Sequence, residues 1–385
     1  MWFGACTSSI GTWMQIVAQG WLIYQKSHSA GLLALDQFLA GAPIFMFSLI
    51  GGVIADRVER RRILLGSQYL QMTSAGILTF LVASGRVQVW EILCLSFLSG
   101  FAQAFGGPAY SALIPTLVPR EDMPNAIALN SIQFNVAVTV GPALAGQALA
   151  KLGEAWCFGL NAISFLAPIL SLLIIKTRFL PAKTGESMLT SLKKGIKFAR
   201  QQPAMESLIV LAFCMTFLAM PTRTYIPVFV KDIFRKGPET YGNLMSLMGI
   251  GSICGSLIIA WAGNVTGKGR VALGGLMLLG IGISIFAGSK VLPLSGAMLV
   301  LVGGAMMAVF AMVNSLVQLI TTDEMRGRTM SLYNVAFRGG MPMGNLLSGW
   351  LVSVFSAPLV LGVNGVLLTF LALYYFAVQR RVAAL

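Results

Sequence analysis

The sequence predicts an all-α integral membrane protein: twelve transmembrane helices in two pseudo-symmetric six-helix bundles. Three observations carry this expectation. Hydrophobic residues fill 56% of the 385 positions and charged residues only 10%, with a mean hydropathy of +0.80; soluble proteins carry about 25% charge. The apolar stretches are continuous and about 20 residues long, the length of a bilayer-crossing helix, and lack the roughly ten-residue alternation of a β-barrel. Finally, glycines repeat between the two halves of the chain in a fixed register.

In chain order the expected spans are 2–24, 35–55, 63–83, 88–110, 123–149, 155–175, 205–230, 240–262, 271–289, 293–319, 327–354 and 357–378. The first begins almost at Met1 with no basic region or small-residue cleavage site before it, so a removable signal peptide is not expected. The second and third are joined by a turn with four arginines and two acids between Asp56 and Arg62, so they must run antiparallel. The seventh holds Pro221 and Pro227, which loosen a helix. The only long polar stretch, Lys176 to Pro203, divides the spans six and six. This gives an N-terminal bundle at 1–175, a cytoplasmic linker at 176–204 and a C-terminal bundle at 205–385. Within the linker Leu189, Leu192, Ile196 and Ala199 form an apolar stripe beside Lys193, Lys194, Lys197 and Arg200. That pattern fits an amphipathic helix on the membrane surface or an ordinary solvated linker helix.

The formal charge of +14 concerns topology, because no basic cluster is interleaved with aromatics as a nucleic-acid site would require. With both termini cytoplasmic, the 27 Lys and Arg divide into 18 cytoplasmic, 7 external and 2 inside spans. That asymmetry orients a protein of the bacterial cytoplasmic (inner) membrane. The five cysteines fall inside spans without CxxC or Cys/His spacing, so no metal, cofactor or disulfide framework is expected.

At an offset of 203, glycines 52, 66, 85, 100, 141, 146 and 159 land on glycines 255, 269, 288, 303, 344, 349 and 362, against about two coincidences expected from glycine content. Asn161 falls on Asn364 in the same register. Glycines set where membrane helices approach closely, so a shared pattern implies shared packing. Two six-span repeats entering from the same side are an architecture of secondary transporters.

The run Gly52-Val53-Ile54-Ala55-Asp56-Arg57-Val58-Glu59-Arg60-Arg61 resembles the signature of the major facilitator superfamily. The stretches Gly11–Trp21, Val118–Asp122, Ala128–Ser131, Gly141–Gly146, Arg326–Ser331 and Phe337–Pro342 look like its branch of bacterial exporters that includes enterobactin exporters. The resemblance runs through nearly the whole chain and implies the major facilitator fold and alternating access. Gly141, Pro142 and Gly146 look like the exporters' antiporter motif, with Ala137 and Ala145 where its fuller form has glycine. Glu59 stands where the wider superfamily often has glycine. The repeat register places Ile259 and Ala260 opposite Asp56 and Arg57, so the second half has lost the arginine turn.

One-sidedness suits a conformational latch. Asp56 would dock at the start of the eleventh span, where Thr321-Thr322-Asp323-Glu324 has capping-box spacing. Arg57, Arg60 and Arg61 would answer Asp323 and Glu324. The alternative is that these arginines only enforce topology.

Polar residues inside spans mark candidate paths. Ser8, Thr12, Gln15 and Gln19 share one helical face of the first span; Ser96, Ser99 and Gln103 lie in the fourth, and Asn314 and Gln318 in the tenth. By resemblance, spans 1, 4, 7 and 10 line a central cavity, which makes Thr12, Gln15, Gln19, Gln103, Arg223, Tyr225, Asn314 and Gln318 substrate-path candidates. Interhelical hydrogen bonding is the competing role for each amide. Of the two intramembrane arginines, Arg223 beside Tyr225 is the expected ligand contact and Arg338 the expected structural charge. Asp36, closest of the acids to a cavity-facing depth, is the first candidate for carrying a proton, but its place near the outer end of the second span favours surface anchoring over that role; Glu91 and Glu206 also lie near span ends, and His28 falls in an external loop.

The function these readings imply is proton-coupled export of a small amphipathic, anionic, siderophore-like molecule, by a monomer in the lipid bilayer. Multidrug or macrolide efflux and lysophospholipid transport are alternatives in the same class. An intramembrane enzyme is disfavoured, since the chain has no HExxH, no GxSxG and a single His. A non-transporting receptor would need a signalling domain that these short loops do not supply, and ATP-driven transport would need a GxxxxGK[ST] motif that does not occur.

Overall fold

The computed structural model describes residues 1–175, 202–262, 267–322 and 325–384, without the side chains of Leu49, Val53, Ala55, Asp56, Arg57 and Ala262. Among these residues all regular structure is helical. Before the linker lie α1 (Trp2–Ser27), α2 (Ala30–Arg57), α3 (Arg60–Ala83), α4 (Val89–Leu117), α5 (Met123–Lys151), α6 (Glu154–Ser164) and α7 (Leu166–Ile174). After it lie α8 (Pro203–Ala219), α9 (Pro221–Val228), α10 (Pro238–Ala262), α11 (Lys268–Gly288), α12 (Leu292–Leu319), α13 (Arg326–Val354) and α14 (Ala357–Ala377). Each expected span coincides with one helix or with a consecutive pair. Among the described residues nine segments are long and apolar enough to cross a membrane. The linker helix expected at 176–204 falls almost wholly outside the described residues.

Prolines explain where single spans become pairs. Pro168 in the first turn of α7 has no N–H for the carbonyl of Ser164, and the chain breaks at Phe165. Pro221 likewise begins α9 and frees the carbonyl of Phe217 in α8. Gly344 of α13 lies directly against that carbonyl. The same device recurs in the first half, where Pro108 frees the carbonyl of Ala104 and a Cβ on Gly51 would stand 2.5 Å from it. In these two places a glycine lets a neighbouring backbone close over the acceptor that a proline has released.

The described residues group into two compact units. The first comprises residues 1–175 together with Arg235–Ser246. Its buried centre includes Leu78, Ile92, Ala104, Ala137 and Phe158. Arg235–Ser246 was expected with the C-terminal bundle but is held here by three contacts. Gly242 packs against Gly146 and Pro142 of α5; Ser246 Oγ donates to the carbonyl of Thr139 at 2.6 Å; Tyr241 stacks on Trp21, centroids 6.1 Å apart.

The second unit comprises residues 202–234 and 247–384. Phe229 against Phe286, centroids 4.6 Å apart, lies in its core with Leu208, Met215 and Leu361. Here Gly251 and Gly255 of α10 close onto Val300 and Gly304 of α12, a small-residue seam of the kind that joins membrane helices.

The glycine register has a physical meaning in this fold. Gly100 and its equivalent Gly303 seat α4 on α2 and α12 on α10. Gly141 and Gly344 seat α5 on α1 and α13 on α8, while Gly159 and Gly362 face Thr79 of α3 and Ala287 of α11. Three repeated pairs therefore make equivalent contacts within each unit.

Candidate functional site

In the first unit the polar stripe of α1 becomes a continuous hydrogen-bonded chain. Asn161 Nδ2 on α6 donates to Gln15 Oε1 at 2.6 Å, and Gln15 Nε2 reaches Gln19 Oε1 at 3.5 Å. Gln19 Nε2 donates to Asp36 Oδ1 at 2.8 Å and to Ser96 Oγ at 2.7 Å. Ser96 Oγ in turn donates to Asp36 Oδ1 at 2.5 Å, and Gln37 Nε2 lies 3.3 Å from Asp36 Oδ2. Four helices, α1, α2, α4 and α6, are thereby joined through side chains. Gly11 makes the approach of α6 possible, since a Cβ there would stand 2.6 Å from Asn161 Oδ1.

Asp36 is 1% exposed, which corrects the surface-anchoring alternative. The cause is local: α2 begins at Ala30 with Ser29 as its cap, Oγ accepting from the N–H of Leu32 at 3.3 Å. Asp36 therefore lies two turns into a helix instead of at its edge. Two other ionisable groups near span ends are accounted for locally. Glu91 accepts from the Gln88 N–H at 2.8 Å and caps α4, and His28 terminates α1 in the left-handed conformation.

Gln15 and Gln19, expected along the substrate path, are committed to interhelical hydrogen bonds. Thr12 donates to the Ser8 carbonyl of its own helix, and Gln103 is exposed on α4. In the second unit Asn314 and Gln318 line a cleft of about 400 Å³ with Ala311, Ser315, Leu319 and Arg326. Gln318 Nε2 donates to Asn314 Oδ1 at 2.6 Å, and the hydroxyl of Tyr333 lies beside Asn314.

The two intramembrane arginines differ from expectation. Arg223 is half-buried and engaged within the protein, and its neighbour Tyr225 is fully buried. Thr224 Oγ1 donates to Asn345 Oδ1 at 2.8 Å, fixing α9 to α13. Arg338, expected to be structural, is exposed. A partner-bound packing role does not describe it. It shares its exposed face with Ser331 and Asn334, residues that the sequence reading passed over, although their i, i+3, i+7 spacing was visible.

The arginine turn is partly spent inside the first unit. Arg60 Nη1 donates to the Ala112 carbonyl at 2.8 Å. Arg61 donates to Leu172 O at 2.6 Å and Leu173 O at 2.9 Å, at the C-terminal end of α7, where the helix dipole favours a cation. Arg62 pairs with Glu59 at 2.8 Å. The side chains of Asp56 and Arg57, and residues Asp323 and Glu324, lie outside the description, and a Cβ added at Gly52 would meet nothing within 4 Å among the described residues. The capping-box spacing at 321–324 does not cap the next helix through Thr321. Its hydroxyl turns back to the Val317 carbonyl, and α13 begins at Arg326 without a side-chain cap. In the antiporter-like motif, Gly141 packs on Trp13 and Ile10 of α1, and Gly146 on Gly242 and Glu239.

Comparison with known proteins gives a consistent result. A family profile described as transmembrane secretion effector matches residues 1–384. The chain is 25% identical to the multidrug efflux pump Tap of Mycolicibacterium fortuitum over 359 residues, covering 90% of this chain and 87% of that one. It is 24% identical to macrolide efflux protein A of Streptococcus pyogenes over 361 residues, with coverages of 90% and 87%. It is 27% identical to the enterobactin exporter EntS of Shigella boydii serotype 4 over 339 residues, covering 86% and 79%. Among solved structures, a POT family transporter in complex with 5-aminolevulinic acid superposes with a TM-score of 0.79 at 12% identity, covering 99% and 95%. A bacterial homologue of the lysosomal transporter Spinster gives 0.74 at 16% identity, covering 98% and 95%. These last two likenesses concern the fold.

Proposed function

Because this chain belongs to the transmembrane secretion effector family of the major facilitator superfamily, we propose that it is a proton-coupled exporter working by alternating access. The chain is a multi-pass membrane transporter of exporter type, and its family and relatives indicate transport rather than enzyme chemistry. The cargo in this reading is a small amphipathic anion of siderophore type, leaving the bacterial cytoplasm. Relatedness to the enterobactin exporter supports that cargo, and equal relatedness to Tap and the macrolide efflux protein supports multidrug or macrolide efflux as the second reading. The moving parts in this reading are the bundles 1–175 and 205–385 of a monomer, joined by residues 176–204. Asp56 and Arg57 would act with Asp323 and Glu324 as the cytoplasmic latch. Both termini would be cytoplasmic, as the 18 to 7 division of loop Lys and Arg supports.

The observation that carries the coupling is the buried carboxylate of Asp36, held by Gln19 and Ser96. Ionised, it accepts from both. Protonated, the carboxyl gains one O–H donor and loses acceptor strength, which weakens its hold on Gln19 and Ser96 when the proton sits on Oδ1 and on Gln37 when it sits on Oδ2. Gln19 is bonded to Gln15, and Gln15 to Asn161, so one proton alters how α1 is tied to α2, α4 and α6. A proton entering from outside and leaving to the cytoplasm would exchange for cargo moving outward.

The test uses proteoliposomes with an imposed pH gradient, assayed with a catechol siderophore and a macrolide. Wild type should accumulate one of them only when the gradient is present. Asp36→Asn should reduce that accumulation to downhill movement. A gradient response of wild-type size in Asp36→Asn would remove Asp36 from the mechanism, and gradient-independent transport by wild type would end the proton-coupled reading.

A further inference from the structure

An arginine at the centre of a membrane helix costs at least ~2.5–3.5 kcal/mol, so it faces either a partner or water. Arg338 stands twelve residues after the first residue of α13, about 18 Å along the axis at 1.5 Å per residue. Its guanidinium is exposed, with no hydrogen bond or ion pair among the described residues. Neither α12 nor α13 contains an acid.

The outward surface of α13 has two chemistries. Ser331, Asn334 and Arg338 are exposed and, at i, i+3 and i+7, form one polar stripe. The exposed apolar residues Met343, Leu347, Trp350 and Val354 lie nearly half a turn round the helix from it, at 100° per residue. An apolar face meets acyl chains; a face of hydroxyl, amide and guanidinium does not. Arg326, the first residue of α13 and about a third of a turn round the helix from this stripe, lines the cleft of about 400 Å³ with Asn314, Ser315 and Gln318. Beside Arg338, Phe337 packs against Phe310 and Tyr333, with centroids 4.9 and 6.1 Å away.

We propose that Ser331, Asn334 and Arg338 are the surface on which this exporter recognises the carboxylate of an amphipathic organic anion. The inference rests on the exporter reading and specifies its substrate class. Arg338 supplies the paired N–H donors that match a carboxylate, Asn334 supplies a neutral donor below it, Ser331, whose hydroxyl donates to the Gly327 carbonyl at 2.9 Å, keeps the face polar, and the neighbouring aromatic wall takes the apolar body. Arg223, which is already engaged within the protein, is not the ligand contact in this reading.

The test is equilibrium binding to purified full-length protein in neutral detergent free of anionic lipid, using dansylglycine and its uncharged analogue dansylglycinamide as fluorescent probes. Wild type should bind the carboxylate about tenfold more tightly, the equivalent of one net charge-assisted contact. Arg338→Gln should bring the two probes within about twofold, Arg338→Lys should restore part of the preference, and Arg223→Gln should keep it. Persistence of the full preference in Arg338→Gln overturns the proposal, as does wild type that fails to prefer the carboxylate or binds neither probe. Should Arg338→Gln not purify as a folded protein, Asn334→Ala must still weaken the preference, and an unchanged ratio there counts equally against it. No membrane or gradient is involved, so this outcome is separable from that of the proton-coupling experiment.

Discussion

Replacing Gly141 by alanine tests whether the glycine register is packing or coincidence. A Cβ at Gly141 would stand 2.6 Å from Trp13 Cβ and 3.0 Å from the Ile10 carbonyl. Neither atom can rotate away, one being the first atom of a side chain and the other backbone. Ordinary contact begins at 3.4 Å, so α5 must withdraw from α1 by about 0.8 Å. A gap of that size forfeits a quarter to a half of the dispersion well for every atom pair that follows it, and overpacking of this kind costs about 1–3 kcal/mol. Alanine also gains about 1 kcal/mol over glycine in any helix interior, so the measurement needs a reference that shares this gain. Gly66 on α3 is exposed, with nothing within 4 Å. Purified Gly141→Ala and Gly66→Ala are compared by thermal unfolding in detergent, read by tryptophan fluorescence. Gly66→Ala should melt at or above wild type, and Gly141→Ala below Gly66→Ala by the equivalent of about 1–3 kcal/mol. Gly344→Ala, which meets the Phe217 backbone, should fall in the same direction. Melting of Gly141→Ala at or above Gly66→Ala would refute the close-packing argument.

Two further outcomes follow from the first unit. Arg61→Gln removes two hydrogen bonds to the end of α7 and should lower thermal stability by about 1–2 kcal/mol, whereas Arg62→Gln, at an 80% exposed side chain paired only with Glu59, should change it little; equal melting of the two variants would speak against a staple. Gln15→Leu and Asn161→Leu should couple by about 0.6–1.7 kcal/mol in a double-mutant cycle, and additive effects would mean that the 2.6 Å bond contributes nothing.

What was legible in the sequence follows from the range of the interaction concerned. Span positions are local in origin, so each expected span has its helix. The start of α2 was misplaced by five residues because hydropathy was weighed above the Ser29 cap, and that shift turned Asp36 from a buried hub into an edge residue. The stripe Thr12, Gln15, Gln19 was readable, but its partner Asn161 lies 146 positions away from Gln15. The arginine turn announced itself by composition. Its acceptors did not, because carbonyls at helix ends carry no sequence signature. Arg338 stands out in the sequence as a lone charge, whereas the exposed face that it shares with Ser331 and Asn334 depends on which side of α13 the packing leaves open.

The staple made by Arg60 and Arg61 also sets an order in time. Their acceptors lie 52 and 111 positions further along the chain. At a synthesis rate of about 5–20 residues per second, Arg61 waits roughly 5–20 s between its own emergence and that of its carbonyl partners. Throughout that interval the guanidinium has only water, lipid headgroups or groups already synthesised to meet it. The bonds of Arg61 can therefore form only after α7 has been made, and in the proposed topology its charge would hold the α2–α3 hairpin in its orientation until then.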